Sequence, residues 1–293
     1  MKINNVLVDD ELINFLIKSV RNKKTLSNLD SEFITREIVK FLSNHLNHIP
    51  KLHNEKSKEH KELIKFIRAK SHDVYEIFQT GDINKRNELL FEIKKLSKEN
   101  VIPLLDTHIS TKERLSSYNE VYKKIFAETN IPNSILDIGC GLNPISIPFM
   151  NFDSDKLKKI KYFASELSCE DLKIIDSFFE KFKINGKTFA CNLVHDFEKL
   201  KEYKCDVCFA FKLFDVLETQ KKNVGYDIIE SLNCKYLVAS FALTNIKQEA
   251  MKREKVHYFE RFLSKLGLSF DSFLLMGELF YIVPLKDDKD LEK

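Results

Sequence analysis

From residue 133 onward, short apolar runs alternate with stretches of helical periodicity, and few folds accept that pattern. SILDI (134–138) is followed by a helix beginning near Pro144, KIKYFAS (159–165) leads into CEDLKIIDSFFEKF, and Asn185-Gly186 turns the chain into KTFAC (187–191). CDVCFAF (205–211) precedes LFDVLETQKKNVGYDIIESL, and KYLVASF (235–241) precedes a basic helical stretch across 246–265. Strands alternating with helices predict a parallel sheet wrapped by right-handed crossovers. The two closing runs, LSFDSFLL and ELFYIVPL, are joined by Met276-Gly277 and read as an antiparallel hairpin. The fold class expected is therefore α/β, a doubly wound sheet.

Residues 1–105 carry a different signal. Apolar positions recur at helical spacing in SEFITREIVKFLSNHL, KELIKFIRAKSHDVYEIF and RNELLFEIKKL, with breaks expected at Asn47–Pro50 and at Thr80-Gly81-Asp82, where Asp82 can cap the next helix. Two domains follow from this change of pattern: a helical one over 1–105 and a sheet domain over 106–293. Net charge is only +3, so distribution matters more than the total. Residues 51–70 hold Lys51, Lys56, Lys58, Lys61, Lys65, Arg68 and Lys70 against three glutamates. That face is either a solvated helix surface or a phosphate-contacting one with salt-dependent binding to RNA.

With 43% hydrophobic and 31% charged residues, the chain reads as an ordinary globular protein. No apolar run approaches the roughly 18 residues of a membrane span. The acidic start, MKINNVLVDDELINF, lacks the pattern of a signal peptide, so a cytoplasmic location is expected. The six cysteines form no paired ligand pattern, and no metal is expected; Cys205 and Cys208 lie in a strand where cysteine acts as a small hydrophobe.

The sharpest local signal is Ile135-Leu136-Asp137-Ile138-Gly139-Cys140-Gly141-Leu142-Asn143-Pro144. An apolar strand ends in an acid, a turn spends two of the chain's seven glycines, and a helix begins, with Asn143 able to cap it and Pro144 suited to its first turn. The carboxyl end of a first strand is where a doubly wound sheet binds its ligand. Gly139 and Gly141 let the backbone approach that ligand closely. A dinucleotide site would show GxGxxG, but Pro144 occupies the third glycine position. The D-x-G-x-G form resembles the methyl-donor loop that wraps the methionine part of S-adenosylmethionine. Sheet and terminal hairpin together likewise resemble the class I, Rossmann-like methyltransferase fold. Glu166 ends the second strand, where a carboxylate can accept two hydrogen bonds from a ribose or cap the next helix. Asn192-Leu193, after the third strand, is either an adenine contact or an ordinary turn.

A more specific resemblance rests on His108-Ile109-Ser110-Thr111-Lys112-Glu113-Arg114-Leu115 placed about twenty residues before Asp137–Pro144. These segments are similar to the H-x-S-T-[KR]-E-R-L and D-[IL]-[AG]-C-G-L-N-P motifs of the aminoglycoside-resistance 16S rRNA (guanine-N7) methyltransferases. Phe211-Lys212-Leu213 with Leu217-Glu218, Val238–Phe241 and Met276–Tyr281 continue the resemblance in order. It implies an antibiotic-resistance type of rRNA methylation, with S-adenosylmethionine as cofactor and the small ribosomal subunit as partner. It also implies that Arg114 meets the cofactor carboxylate, that Asp137, Gly139, Cys140 and Gly141 line the methionine, and that Glu166 and Asn192 with Leu193 serve ribose and adenine. Phe211 and Lys212, ending the fourth strand, would face the target base, and the helical region would grip the subunit. A monomer is expected. Glu166 and Asn192 stand where the family usually has Asp, and the loop after the fifth strand reads Ser240–Lys247 in place of S-F-P-T-[KR]-S-L-G, its bases moved to Lys247, Lys252, Arg253 and Lys255. The alternative functions are methylation of another RNA site or a small molecule, or noncatalytic ribosome binding on the same fold.

Overall fold

The structure is a computed structural model that describes residues 2–22, 31–74, 83–243 and 256–285. Asp82 and the four basic residues expected beyond the fifth strand lie outside the described residues. The chain divides into two compact units, 1–79 and 80–293. The division falls ahead of the expected boundary at 105/106, because the helices over 83–105 pack with the sheet unit.

In the first unit, residues 2–3 and 6–7 pair as a short antiparallel ribbon across Asn4 and Asn5, both at positive φ. Among the described residues, three helices follow: α1 (Asp10–Arg21), capped by the Asp9 carboxylate, α2 (Ser31–Asn44) and α3 (Lys58–Val74). The break expected at Asn47–Pro50 is a 3-10 turn over Leu46–Lys51. Apolar positions at i, i+3 and i+4 bury Leu12, Leu16, Val20, Ile34, Ile38, Leu63 and Ile67 in a common core. A buried histidine, His60, is held from both ring nitrogens, by Ser19 Oγ at 2.7 Å and the Leu52 carbonyl at 2.8 Å. The outer side of α3 leaves Lys61, Lys65 and Arg68 exposed.

The second unit opens with α4 (Ile83–Glu92), α5 (Lys98–Leu105), α6 (Ile109–Arg114) and α7 (Tyr118–Thr129). Its sheet contains β1 (Ser134–Ile138), β2 (Lys161–Glu166), β3 (Gly186–Ala190), β4 (Cys205–Phe211), β5 (Cys234–Ala242), β6 (Asp271–Leu275) and β7 (Glu278–Pro284). The strand order is β3-β2-β1-β4-β5-β7-β6, with β7 antiparallel to both of its neighbours and all other pairs parallel. This is the doubly wound sheet with a terminal hairpin that the sequence predicts, and its chain reversal lies between β1 and β4.

Because successive side chains on a strand point to opposite faces, each central strand feeds two cores. Val207, Phe209 and Phe211 face one, with Tyr118, Val121 and Tyr122 of α7. Cys208 and Ala210 face the other, with Phe241, Phe259 and Phe262. Burying a ring such as Phe209 contributes about 1.5–3 kcal/mol. Cys205 and Cys208 are buried as small hydrophobes.

The connecting elements are α8 (Ser154–Lys159), α9 (Cys169–Phe182), α10 (Phe214–Gln220), α11 (Val224–Ser231) and α12 (His257–Lys265). Ser168 caps α9 by accepting from the Asp171 amide at 3.2 Å. The helix expected near Pro144 is a 3-10 helix, Asn143–Met150. Pro148 inside it has no N–H to close an α-helical bond to Pro144. Asn143 is its first residue, not its cap, since its side chain is committed to Asp137.

Among the described residues, no helix is long and apolar enough to cross a membrane.

Candidate active site

The carboxyl ends of β1, β2, β3 and β4 meet at one rim of the sheet, and nearly every residue singled out in the sequence stands there. Asp137 is buried at the end of β1. Its Oδ2 accepts from Asn143 Nδ2 at 2.8 Å and from Tyr162 Oη at 2.7 Å, while Oδ1 has no hydrogen-bond partner. Burial raises its carboxyl to about 7, against the opposing effect of those two hydrogen bonds. Asn143 accepts in turn from Tyr118 Oη at 3.1 Å, so a chain of buried polar groups ties the turn to α7.

The turn needs its glycines. Gly139 and Gly141 have φ of +56° and +51°, a region where a Cβ is strained. A Cβ on Gly139 would meet Leu213 at 2.5 Å, and one on Gly141 would meet the His108 ring at 2.7 Å. The close approach expected of a ligand is thus also an approach of the protein's own side chains. Cys140, between them, is buried, donates its amide to the Ser165 carbonyl at 3.0 Å, and turns its thiol inward. It offers the cleft only backbone. His108 is 7% exposed, and burial together with Arg86 and Arg114 lowers its imidazole to about 3, so it is neutral at physiological pH.

Glu166 is half-buried at the end of β2. Its Oε2 accepts from the Gly141 amide at 2.9 Å, and its Oε1 from the amides of Leu167 at 2.6 Å and Ser168 at 3.4 Å. Burial raises its carboxyl above the usual range, with Asp171 adding to the effect. Beyond β3, Asn192 closes its own turn by accepting from the Val194 amide at 3.1 Å, and Leu193 is buried beside it.

Arg114, the last residue of α6, is 1% exposed. Its Nε donates to both oxygens of Glu278, at 2.9 and 3.0 Å, and its guanidinium lies 4.8 Å above the Phe211 ring. Burial works against its charge and Glu278 more than offsets it, so its pKa is raised. Neither Nη1 nor Nη2 makes a hydrogen bond of good geometry, although the Tyr118 hydroxyl is near enough to interact with the group. Two buried donors of a fixed fork are thereby left for an acceptor, and a carboxylate fits that geometry. Orphaned donors of this kind are rare in native structures.

Phe211 and Lys212 adjoin this arginine. Phe211 is 7% exposed, packed between Phe209 at 5.0 Å and Phe280 at 5.8 Å and covered by Arg114, so its ring supports the guanidinium and has no open face for a base. Lys212 has φ of +54°, a strained value for a residue with a Cβ, and its amide donates to Ser240. Its ammonium is paired with Glu113 and lies 3.5 Å from Glu278. Glu278 is the site residue that sequence reading left unassigned. It lies inside the Met276–Tyr281 motif, but 164 positions separate it from Arg114.

The model of the family described as "Ribosomal RNA methyltransferase (FmrO)" matches residues 95–282. The chain belongs to this family. Among curated relatives, the 16S rRNA (guanine(1405)-N(7))-methyltransferase of Micromonospora echinospora is 26% identical over 181 residues, covering 61% of this chain and 64% of that one. This chain thus spans less than two thirds of that relative's length. The protein of the same name from Proteus mirabilis is 28% identical over 253 residues, covering 76% and 84%. Among solved structures, the 16S rRNA methyltransferase RmtF in complex with S-adenosyl-L-homocysteine matches with a TM-score of 0.76 at 20% identity, over 94% of this chain and 99% of that one. The 16S rRNA methylase ArmA matches with a TM-score of 0.54 at 28% identity, over 68% and 97%. The fold of this FmrO-family chain is the class I, Rossmann-like methyltransferase fold.

Proposed function

We propose that this chain transfers a methyl group from S-adenosylmethionine to N7 of a guanine in the 16S rRNA of the small ribosomal subunit. The observation that carries the donor half of this reading is Arg114, whose Nη1 and Nη2 are buried and make no hydrogen bond of good geometry at the rim where the sheet reverses. The donor set fits the cofactor. Arg114 would hold its carboxylate, the backbone of Gly139, Cys140 and Gly141 its methionine part, and Asn192 with Leu193 its adenine. Glu166 already accepts from three amides, and a carboxylate has about four acceptor sites, so it can still receive a ribose hydroxyl. Asp137 would act through Asn143, which it anchors at the start of the 3-10 helix.

When bound, S-adenosylmethionine supplies an electrophilic methyl group on a sulfonium, itself a good leaving group. Guanine N7 carries an in-plane lone pair and no proton, so the protein needs no general base there. Its work is alignment and exclusion of water. Lys212, at the end of β4, would meet the target nucleotide by exchanging its Glu113 partner for it, while Phe211 would act one step back by holding Arg114 flat. Membership of the FmrO family supports ribosomal RNA as substrate. The exposed bases of α3 support docking of the helical region on the subunit. An enzyme acting there, alone or with a partner copy, works in the cytoplasm.

Purified protein given tritiated donor and small ribosomal subunits should label 16S rRNA, and borohydride–aniline cleavage should map the label to one guanine. Label in free metabolites or in another RNA would replace the substrate half of the proposal. Absence of any donor uptake would leave only a noncatalytic ribosome-binding role.

A further inference from the structure

Arg114 does not hold its own direction. A guanidinium on a long side chain has rotamer freedom, and a carboxylate can draw it into several pairings. Two contacts remove that freedom. The Phe211 ring, 4.8 Å away, fixes the plane of the group, and the two bonds from Nε to Glu278, at 2.9 and 3.0 Å, fix its rotation within that plane. Glu278 takes only the Nε edge, so the buried Nη1–Nη2 edge stays unpaired. Glu278 is itself fixed. It is 5% exposed, it accepts from Ser240 Oγ at 2.5 Å, and Lys212 Nζ lies 3.5 Å from its other oxygen.

We infer that Glu278 is the positioning residue for donor-carboxylate recognition: it aims the unpaired edge of Arg114 at the place where the carboxylate is held. The inference rests on the donor-binding reading given above. It makes a prediction of unexpected sign. By charge alone, removing a carboxylate from beside Arg114 and Lys212 would leave the cleft more positive and tighten its hold on an anion. By positioning, the same removal frees the guanidinium and weakens that hold.

The test compares two ligands on the full-length protein by calorimetry: S-adenosylmethionine and decarboxylated S-adenosylmethionine, which keeps the nucleoside, the sulfonium and the amine. Glu278→Gln is expected to weaken the first by about ten-fold, the scale of one charge-assisted hydrogen bond, and to leave the second within about two-fold. Breaking a buried ion pair can prevent folding, so Ser240→Ala, which removes one hydroxyl from Glu278 and no charge, serves as a second variant. It should shift the ratio the same way by about three-fold. A ratio that stays constant or rises in folded variants overturns the inference alone. If the native protein binds neither ligand, the donor-binding reading falls and takes this inference with it.

Discussion

The imidazole of His108 fills the space next to Gly141 so closely that a single added carbon would sit 2.7 Å from it. Glycine is therefore required there twice over, by its φ of +51° and by the neutral ring packed on it.

Gly141→Ala should destabilise the protein by about 2–4 kcal/mol, combining left-handed strain with overpacking. Urea unfolding of the variant checks the stability, and donor binding at sub-denaturing conditions should weaken in parallel because the turn shifts.

Asp137 gives the protein a pH dependence opposite to that of a surface acid. Its folded carboxyl titrates near 7, above the unfolded value near 3.9, because burial disfavours the charge. Between those two values the folded state holds a proton that the unfolded state has lost. Stability should therefore fall as pH rises through this window and level off above pH 7. Asp137→Asn keeps an oxygen for Asn143 and Tyr162 and removes the titration. Relative to that variant, the native protein should lose about 2–3 kcal/mol between pH 5 and pH 8 in paired urea titrations.

Arg114→Ala breaks a buried ion pair and should cost about 3–5 kcal/mol of stability, although Glu278 still meets Ser240 and Lys212. Loss of a bidentate carboxylate contact should weaken donor affinity by about ten- to a hundred-fold. Calorimetry and thermal melting on the same sample separate the two effects.

On the helical unit, Lys61, Lys65 and Arg68 are exposed. Replacing all three with glutamate should raise KM for small subunits and lower the salt slope of binding by about two to three, roughly one per lost phosphate contact. Donor affinity should not change. A salt slope equal to that of the native protein would assign this face to solvent.

Much of the site was readable because its parts are local. Strand, acid, glycine turn and proline lie within Ile135–Pro144, so period and turn chemistry were enough to place them. CDVCFAF was read as a buried strand, and β4 has those limits. Reading failed where long-range packing decides. Asn143 looked like a helix cap, but a buried acid six residues earlier claims its side chain. Phe211 is expected from the resemblance to face the target base, yet its ring is covered by an arginine from α6. Sequence gave no hint that helices over 83–105 belong with the sheet, since that depends on pairs such as Arg86 with Asp171 at 2.6 Å. Glu278 stands out only as part of Met276–Tyr281, because nothing nearby in the chain says which charge it balances.

The last hairpin turns at Met276 and Gly277, both at positive φ, and sets Glu278 on the first position of β7. The residue that pairs with Arg114 thus leaves the ribosome only after β1 through β5 have done so. A nascent chain that has completed β1 through β5 already has the glycine turn and the rim acids, but its arginine has no counter-ion. Competence to take up the methyl donor should accordingly wait until β7 slots in beside β5.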